Sequence, residues 1–152
     1  MLMTKHPMLA PDLVRNVEAS CLCLRVQRAS RAIGRRFDAA LRPFGLNNWQ
    51  FTLLMSLNRP EPPSVNGLAE QLVTDRTTMT KNLQVLEQRS LLEIQPDARD
   101  GRVKRILLTQ TGRDLLAKAL DHWRTANEAV EASIPPESLA PLRASLDAIA
   151  RQ

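Results

Sequence analysis

The spacing of hydrophobic residues changes between Ser64 and Thr109, and this change constrains the fold more than any other feature of the chain. Before Ser90 these residues recur at steps of three or four, which is typical of one face of an α-helix. They are Val65, Leu68, Ala69 and Leu72, then Met79, Leu83 and Leu86. After Ser90, hydrophobic residues alternate with polar ones around a turn-forming run, PDARDG. The segment therefore predicts two helices followed by a β-hairpin.

Proline and short polar residues predict the other boundaries. The first predicted helix runs from about Pro11 or Asp12 to Leu41, and the second from about Asn47 to Asn58, with Asn47 or Asn48 as its N-cap. The others start at Ser64, after Thr74 or Asp75, at Thr111 and at Pro136, with Pro141 among the residues that separate the last two. We predict a mainly α fold with a small β-hairpin wing, a winged helix-turn-helix with long dimerisation helices. Its expected parts are residues 1–44 for dimerisation, 45–110 for the winged helix-turn-helix and 111–152 for dimerisation.

The composition favours a polyanionic partner. The 152 residues carry a formal charge of +5 and a sequence pI of about 10.0, although many soluble proteins are basic. No apolar run is long enough to span a bilayer, and the N-terminus lacks the pattern of a secretory signal. Cys21 and Cys23 are the only cysteines and form no disulfide framework. We therefore expect a cytoplasmic protein.

The outer face of the fourth predicted helix is polar, and no acidic residue occurs from Arg76 to Gln84. A solvated helix face usually mixes charges of both signs, so this pattern favours binding in the major groove of double-stranded DNA. The free N–H groups at the helix start can also bind a phosphate. One predicted DNA contact is Ser64, at the start of the third predicted helix. The others lie on the fourth helix: Arg76, Thr77, Thr78, Thr80, Lys81 and Gln84. The alternative is an ordinary solvated face.

The tip of the predicted hairpin is also charged. Arg99, Arg102 and Lys104 are the candidate contacts, and an arginine on a projecting loop can enter a narrow minor groove. Asp100 is expected to hold the guanidinium of Arg102 by a charge-assisted bond. A polar turn with local ion pairs is the alternative.

Two runs, LAEQLVTDRTTMTKNLQVLEQRSLL and DARDGRVKRILLTQTG, resemble the MarR family of bacterial transcription regulators. The resemblance extends over nearly the whole chain, and its most specific part is Asp100-Gly101-Arg102 with the downstream Leu108-Thr109 and Gly112. It implies a homodimer that binds a pseudo-palindromic operator, with residues 76–84 on the recognition helix and Arg102 at the wing tip. Val73 and Ser90 stand where the family usually has glycine.

The segment CLRVQRASRA, which begins at Cys23, resembles the first helix of the organic hydroperoxide resistance regulators. Cys23 matches their reactive cysteine, which is surrounded by tyrosine hydroxyls. This chain contains no tyrosine, and Gln27 and Phe37 occupy the matching positions. A thiolate needs donors or positive charge nearby. Cys23 is therefore either a redox sensor or an inert buried cysteine.

A pocket for a small aromatic ligand is expected near Trp49, Phe51 and Cys23, unless these residues simply fill the core. His6 and His122 are far apart, and no residues have the spacing of metal ligands. The sequence shows no nucleophile motif and no phosphate-binding glycine loop, so we predict neither an enzyme nor a cofactor. The expected function is a homodimeric DNA-binding regulator, a repressor released by a small-molecule ligand. The alternatives are a peroxide-sensing repressor that uses Cys23 and a winged-helix module that binds protein.

Overall fold

The structure, a computed structural model, describes residues 9–151. His6 lies outside this range. The described residues form seven α-helices and one antiparallel hairpin, which confirms the predicted mainly α fold with a β-hairpin wing. The elements are α1 (Pro11–Ser20), α2 (Leu22–Leu41), a 3-10 helix (Arg42–Phe44), α3 (Asn48–Ser56), α4 (Val65–Gln71), α5 (Arg76–Gln88), β1 (Leu92–Pro96), β2 (Lys104–Leu108), α6 (Gln110–Glu131) and α7 (Pro136–Ala150).

The prediction of one long first helix is wrong at Cys21. This residue has an extended backbone, with φ −68° and ψ 106°, and it separates α1 from α2. Its Sγ accepts the N–H of Leu24 at 3.3 Å, so the sulfur caps one of the donors that the first turn of α2 leaves free. The described chain divides into a unit that ends at Arg35 and a unit that starts at Arg36.

The prediction that Pro141 lies between the last two helices is also wrong. α7 begins at Pro136, where a missing N–H costs nothing because the first turn has no acceptor for it. Pro141 lies inside the same helix. The bond lost at Pro141 leaves the carbonyl of Glu137 free, and both residues are exposed, so water can replace the missing donor.

The hydrophobic core lies in the unit that starts at Arg36. Its fully buried side chains come from α2 to β2: Leu41, Leu53, Leu54, Leu68, Met79, Leu83, Leu86, Leu92 and Ile106. The ring of Trp123 on α6 stacks against Phe51 with 6.0 Å between the ring centroids. On α2, Phe37 is buried, while Val26 and Ile33 are exposed.

The two positions where glycine was expected both have a left-handed backbone. Val73, after α4, has a φ of 50°, and Ser90, after α5, has a φ of 57°. The N–H of Ser90 donates to Glu87 and the N–H of Leu91 donates to Leu86, a pair of bonds that closes the end of the helix. Both turns therefore keep the geometry that glycine favours, with residues for which that geometry is strained.

The wing is held to the helices at both ends. Ile94 in β1 pairs with Ile106 in β2, and the N–H of Ile106 donates to the carbonyl of Pro63 at 3.0 Å. At the other end, Gly112 in the first turn of α6 lies against the backbone of Leu91. An added Cβ on Gly112 would be 2.2 Å from the Leu91 carbonyl oxygen, so only glycine allows this approach.

Candidate DNA-binding surface

The outer face of α5 carries the predicted contacts in the arrangement that the sequence suggested. Arg76, Thr77, Thr78, Lys81 and Gln84 are all exposed. The opposite side of the helix is buried through Met79, Leu83 and Leu86. Because the buried side fixes the rotation of α5 about its axis, the polar side must face away from the core. Thr80 is half-buried, and its hydroxyl donates to the carbonyl of Arg76 at 2.8 Å.

A carboxylate caps the start of α5. Asp75 accepts the N–H of Thr78 at 2.8 Å. Hydrogen bonds from the side chain and then from the backbone of Thr78 hold the pKa of Asp75 below its ordinary value of 3.8, because they favour the charged form. The sequence suggested that the free N–H groups at this end could bind a phosphate. The Asp75 carboxylate takes the N–H of Thr78 and adds negative charge at that end. The structure therefore disfavours a phosphate there.

Asp97 organises the wing tip. Its carboxylate accepts a hydrogen bond from Nε of Arg105 at 2.6 Å. It also accepts hydrogen bonds from the backbone N–H groups of Arg99 at 2.8 Å and Asp100 at 3.1 Å. These bonds, led by that from Arg105, lower the pKa of Asp97 to about 2. Arg105 also donates to the carbonyl of Pro62 at 3.2 Å. The pair therefore joins the loop tip, β2 and the segment before α4.

Asp100 does not hold the guanidinium of Arg102, as the sequence had suggested. Its carboxylate accepts the backbone N–H of Arg102 at 3.0 Å. In such a tight turn an aspartate side chain bonds to the N–H of the residue two positions further on. Within residues 9–151, no carboxylate forms an ion pair with Arg102. Arg99, Arg102 and Lys104 are exposed, so their charges remain available to an external anion.

Ser64 has a structural role at the base of the surface. Its hydroxyl accepts the N–H of Gly67 at 3.0 Å and caps α4, as predicted for the start of this helix. The residue also forms an isolated bridge with Arg105 of β2. Ser64 is half-buried. It lies where α4 meets the wing, beside the residues that shape the loop tip.

The three predicted sensor residues differ in their surroundings. Cys23 is exposed in the single chain, and its Sγ accepts a hydrogen bond from the amide of Gln27 at 3.2 Å. Phe51 is buried and Trp49 is half-buried. Phe51 and Trp123 line a groove of about 310 Å³ in the unit that starts at Arg36.

Sequence reasoning missed three residues that shape this surface. Asp97 was recognised only as part of the turn-forming run PDARDG. An aspartate side chain often accepts the N–H of the residue two positions further on, which is the usual signal of such a turn. Arg105 carries no local signal, because its second partner, Pro62, is 43 residues away. Arg89, at the end of α5, reaches Gly45 across 44 residues in the same way.

Among residues 9–151, no group of three or more His, Cys, Asp or Glu side chains is arranged to hold a metal ion. No helix in the same range combines the length and the apolar character needed to cross a membrane.

Comparison with known proteins agrees with this geometry. The model of the MarR family matches residues 44–103. The organic hydroperoxide resistance transcriptional regulator of Bacillus subtilis is 30% identical over 100 residues, which cover 66% of this chain and 68% of the relative. The M. tuberculosis transcriptional regulator MosR, solved in complex with DNA, is 35% identical with a TM-score of 0.79, over 87% of this chain and 95% of that one.

A more distant structure shows the same fold. A cysteine-to-serine mutant of MarR from E. coli, complexed with operator DNA, has a TM-score of 0.80 at 19% identity and covers 88% of this chain and 96% of that one. These similarities confirm that the protein is a transcription regulator and not an enzyme. With its polar α5 face and its arginine-bearing wing, the chain belongs to the MarR family of winged helix-turn-helix, DNA-binding transcription regulators.

Proposed function

We propose that the protein binds a pseudo-palindromic operator as a homodimer, represses transcription there and is released by a small-molecule ligand. The observation that carries the proposal is the exposed, acid-free face of α5 from Arg76 to Gln84, on the same unit as the wing with Arg102. In such a dimer the two recognition helices would lie about 34 Å apart, one turn of DNA. Each would enter a successive major groove, and each wing would reach a flanking minor groove.

Unpartnered apolar residues support the homodimer. Leu13, Val14 and Val17 on α1 are 50%, 44% and 55% exposed. On α7, Leu142 and Leu146 are 41% and 43% exposed, and neither helix buries any residue within the chain. Contiguous apolar surface of this kind favours association. We propose that residues 1–44 and 111–152 of two copies cover each other and that residues 45–110 carry the DNA contacts.

Sedimentation tests the dimer. Leu146→Arg places a charge in the apolar stripe of α7 and should shift the protein towards the monomer, because a charge buried at an interface loses its hydration. Ala144→Arg is the matched control, since Ala144 is exposed and lies about 200° around the helix from Leu142. If both variants sediment as the parent does, α7 is not part of a dimer interface.

Fluorescence anisotropy on DNA from the region upstream of the chain's own coding sequence tests operator binding. Arg102→Ala should weaken specific binding by roughly 10-fold or more, as expected for the loss of about 1.4 kcal/mol or more of contact energy. Arg124→Ala removes the same charge from an exposed site on α6, where Arg124 pairs with Asp121, and should change affinity little. Equal affinity of Arg102→Ala and the parent would remove the wing from the DNA contacts.

Transcription in vitro tests the sign of the regulation. A template that carries the upstream region should give less transcript as the protein is added, because the bound dimer excludes RNA polymerase. A rise in transcript would show an activator and would refute repression.

Ligand release is proposed at the groove beside Phe51 and Trp123. Its walls include Met55 and Leu120, so an aromatic ring could pack there. A ligand that alters the separation of the two recognition helices lowers affinity, because both half-sites must be met together. Titration with a panel of aromatic acids should change the tryptophan fluorescence of the protein and reduce DNA binding at the same concentrations. Release without a change in fluorescence would place the ligand elsewhere.

A thiol-based release is the second candidate, favoured by the hydrogen bond that the amide of Gln27 donates to the Cys23 sulfur. The thiolate would attack a hydroperoxide oxygen and break the O–O bond, which leaves a sulfenic acid on Cys23 and releases an alcohol. Cys23→Ser should abolish release by an organic hydroperoxide, whereas Cys21→Ser should not. Equal release from Cys23→Ser and the parent would exclude this candidate.

A further inference from the structure

The side chain of Arg89 ties the far end of α5 to a distant segment. Arg89 directly follows α5, and its guanidinium donates to the carbonyls of Gly45 at 2.8 Å and Phe44 at 3.5 Å. These carbonyls close the 3-10 helix that follows α2. Carbonyls at the end of a helix lack partners within it and carry partial negative charge, so a guanidinium satisfies them well.

The absence of a side chain at Gly45 leaves room for this contact. Gly45 has a φ of 64°, and its N–H donates to Arg42 at 2.9 Å. A Cβ added here would lie 3.2 Å from a guanidinium nitrogen of Arg89, so a larger residue would press on the arginine. The turn therefore combines a backbone that favours glycine with close approach by Arg89.

The same turn also contacts α6. The ring of Phe44 lies edge-on to the imidazole of His122, with 4.9 Å between the ring centroids. The ends of α2 and α5 and the middle of α6 therefore meet at one place within the unit that starts at Arg36. α5 has no other side-chain bond to the Phe44–Gly45 turn among the described residues.

We propose that Arg89 is a positioning residue for DNA recognition: it sets the tilt of α5 by fastening its C-terminal end to the Phe44–Gly45 turn. The inference rests on the proposed function, in which α5 enters the major groove. The buried residues fix the rotation of α5 about its axis, and Arg89 restrains the direction of that axis. Loss of the restraint lets the recognition face swing relative to the rest of the unit, although no contact to DNA is removed.

Operator binding distinguishes this role from a direct contact. Arg89→Ala should weaken binding by about 10-fold, and Arg89→Lys, which keeps a donor and the charge, should restore part of the loss. Gln88→Ala, at the neighbouring exposed position, is the control. The slope of log affinity against log salt should stay unchanged, because the substitution removes no contact to DNA. Loss of a phosphate contact would instead make the slope shallower by about 0.9. A reduced slope, or unchanged affinity, would overturn the proposal.

The spacing of the half-sites supplies a sharper readout. One base pair added between them moves the second half-site by about 3.4 Å and rotates it around the DNA axis. The parent should bind this operator much more weakly than the original. Arg89→Ala should show a smaller relative loss, because its recognition helices adapt more easily. An equal loss in both proteins would contradict a role in setting the tilt.

Hydrogen exchange tests the positioning without DNA. The N–H groups of Ser90 and Leu91 close the end of α5 by bonds to Glu87 and Leu86. In Arg89→Ala they should exchange several times faster than in the parent, with partial recovery in Arg89→Lys. Unchanged exchange would overturn the proposal even if the protein binds DNA. If the parent binds no DNA, the proposed function fails, and exchange alone still decides whether Arg89 fastens the helix.

Discussion

Gly112→Ala should destabilise the protein, although alanine is the better helix former. Gly112 is the third residue of α6, and its N–H donates to the capping hydroxyl of Thr109 at 3.0 Å. An added Cβ would lie 2.2 Å from the Leu91 carbonyl oxygen and 2.7 Å from Cδ1 of Leu108. Contacts of a carbon atom are most favourable at about 3.5–4.0 Å, so α6 and the Leu91 backbone must separate by more than about 1 Å.

The magnitude follows from two opposing effects. Overpacking costs about 1–3 kcal/mol, and the upper end applies because the blocking atom belongs to the backbone. The helix propensity of alanine returns roughly 1 kcal/mol. Gly112→Ala should therefore lower the free energy of unfolding by about 2 kcal/mol, which for a chain of this size lowers Tm by roughly 4–8 °C.

Gly67 offers a matched control. It is the third residue of α4, and its N–H donates to the capping hydroxyl of Ser64 at 3.0 Å. A Cβ there would meet only the Ser64 oxygen, at 3.2 Å. Gly67→Ala should leave stability unchanged or raise it by up to about 1 kcal/mol. Urea unfolding followed by circular dichroism, at one protein concentration, compares the variants. Equal shifts for both, or a more stable Gly112→Ala, would refute the reasoning.

Three further predictions concern the turns, the wing and α5. Ser90→Gly and Val73→Gly should each raise the free energy of unfolding by about 0.5–1 kcal/mol, since relief of the left-handed strain exceeds the entropy cost of glycine. Asp97 has its pKa lowered to about 2 in the folded state, so its bond to Arg105 stabilises the fold fully above pH 3.8 and is lost as the pH falls towards 2. Asp97→Asn should therefore lose less stability than the parent between pH 4 and pH 2. Lys81→Ala should weaken DNA binding and lower the salt slope by about 0.9 if Lys81 meets a phosphate.

These predictions have separate checks. Ser90→Ala keeps the strain without adding flexibility, so it should not be more stable than the parent; equal gains from alanine and glycine would contradict the strain argument. Acid unfolding curves of Asp97→Asn and the parent that run parallel from pH 4 to pH 2 would remove Asp97 from the pH response. For Lys81→Ala, an unchanged slope would indicate a base contact or none.

The hydrophobic spacing alone was enough to predict the order of elements. The change from helical steps to alternation at Ser90 placed α4, α5 and the hairpin correctly, because burial of one face is a local property of the chain. The cap at Ser64 was also predicted, and Asn47 was one of two candidates for the cap of α3, since a side chain that closes a helix start acts within three residues. The prediction failed at Cys21 and Pro141, where one residue's backbone decides whether a helix stops or continues.

Sequence alone determined the fold class, the family resemblance and the exposed face of α5, because all three follow from residue type and local periodicity. Only the tertiary structure decided which charges remain available to DNA. Asp97 neutralises Arg105 across eight residues, and Arg89 is engaged by carbonyls 44 and 45 residues away, while Arg102 stays free of any carboxylate within residues 9–151. A charged side chain has the same appearance in a sequence whether it is paired or not. Its partner is set by chain folding, which brings distant backbone groups within hydrogen-bonding distance.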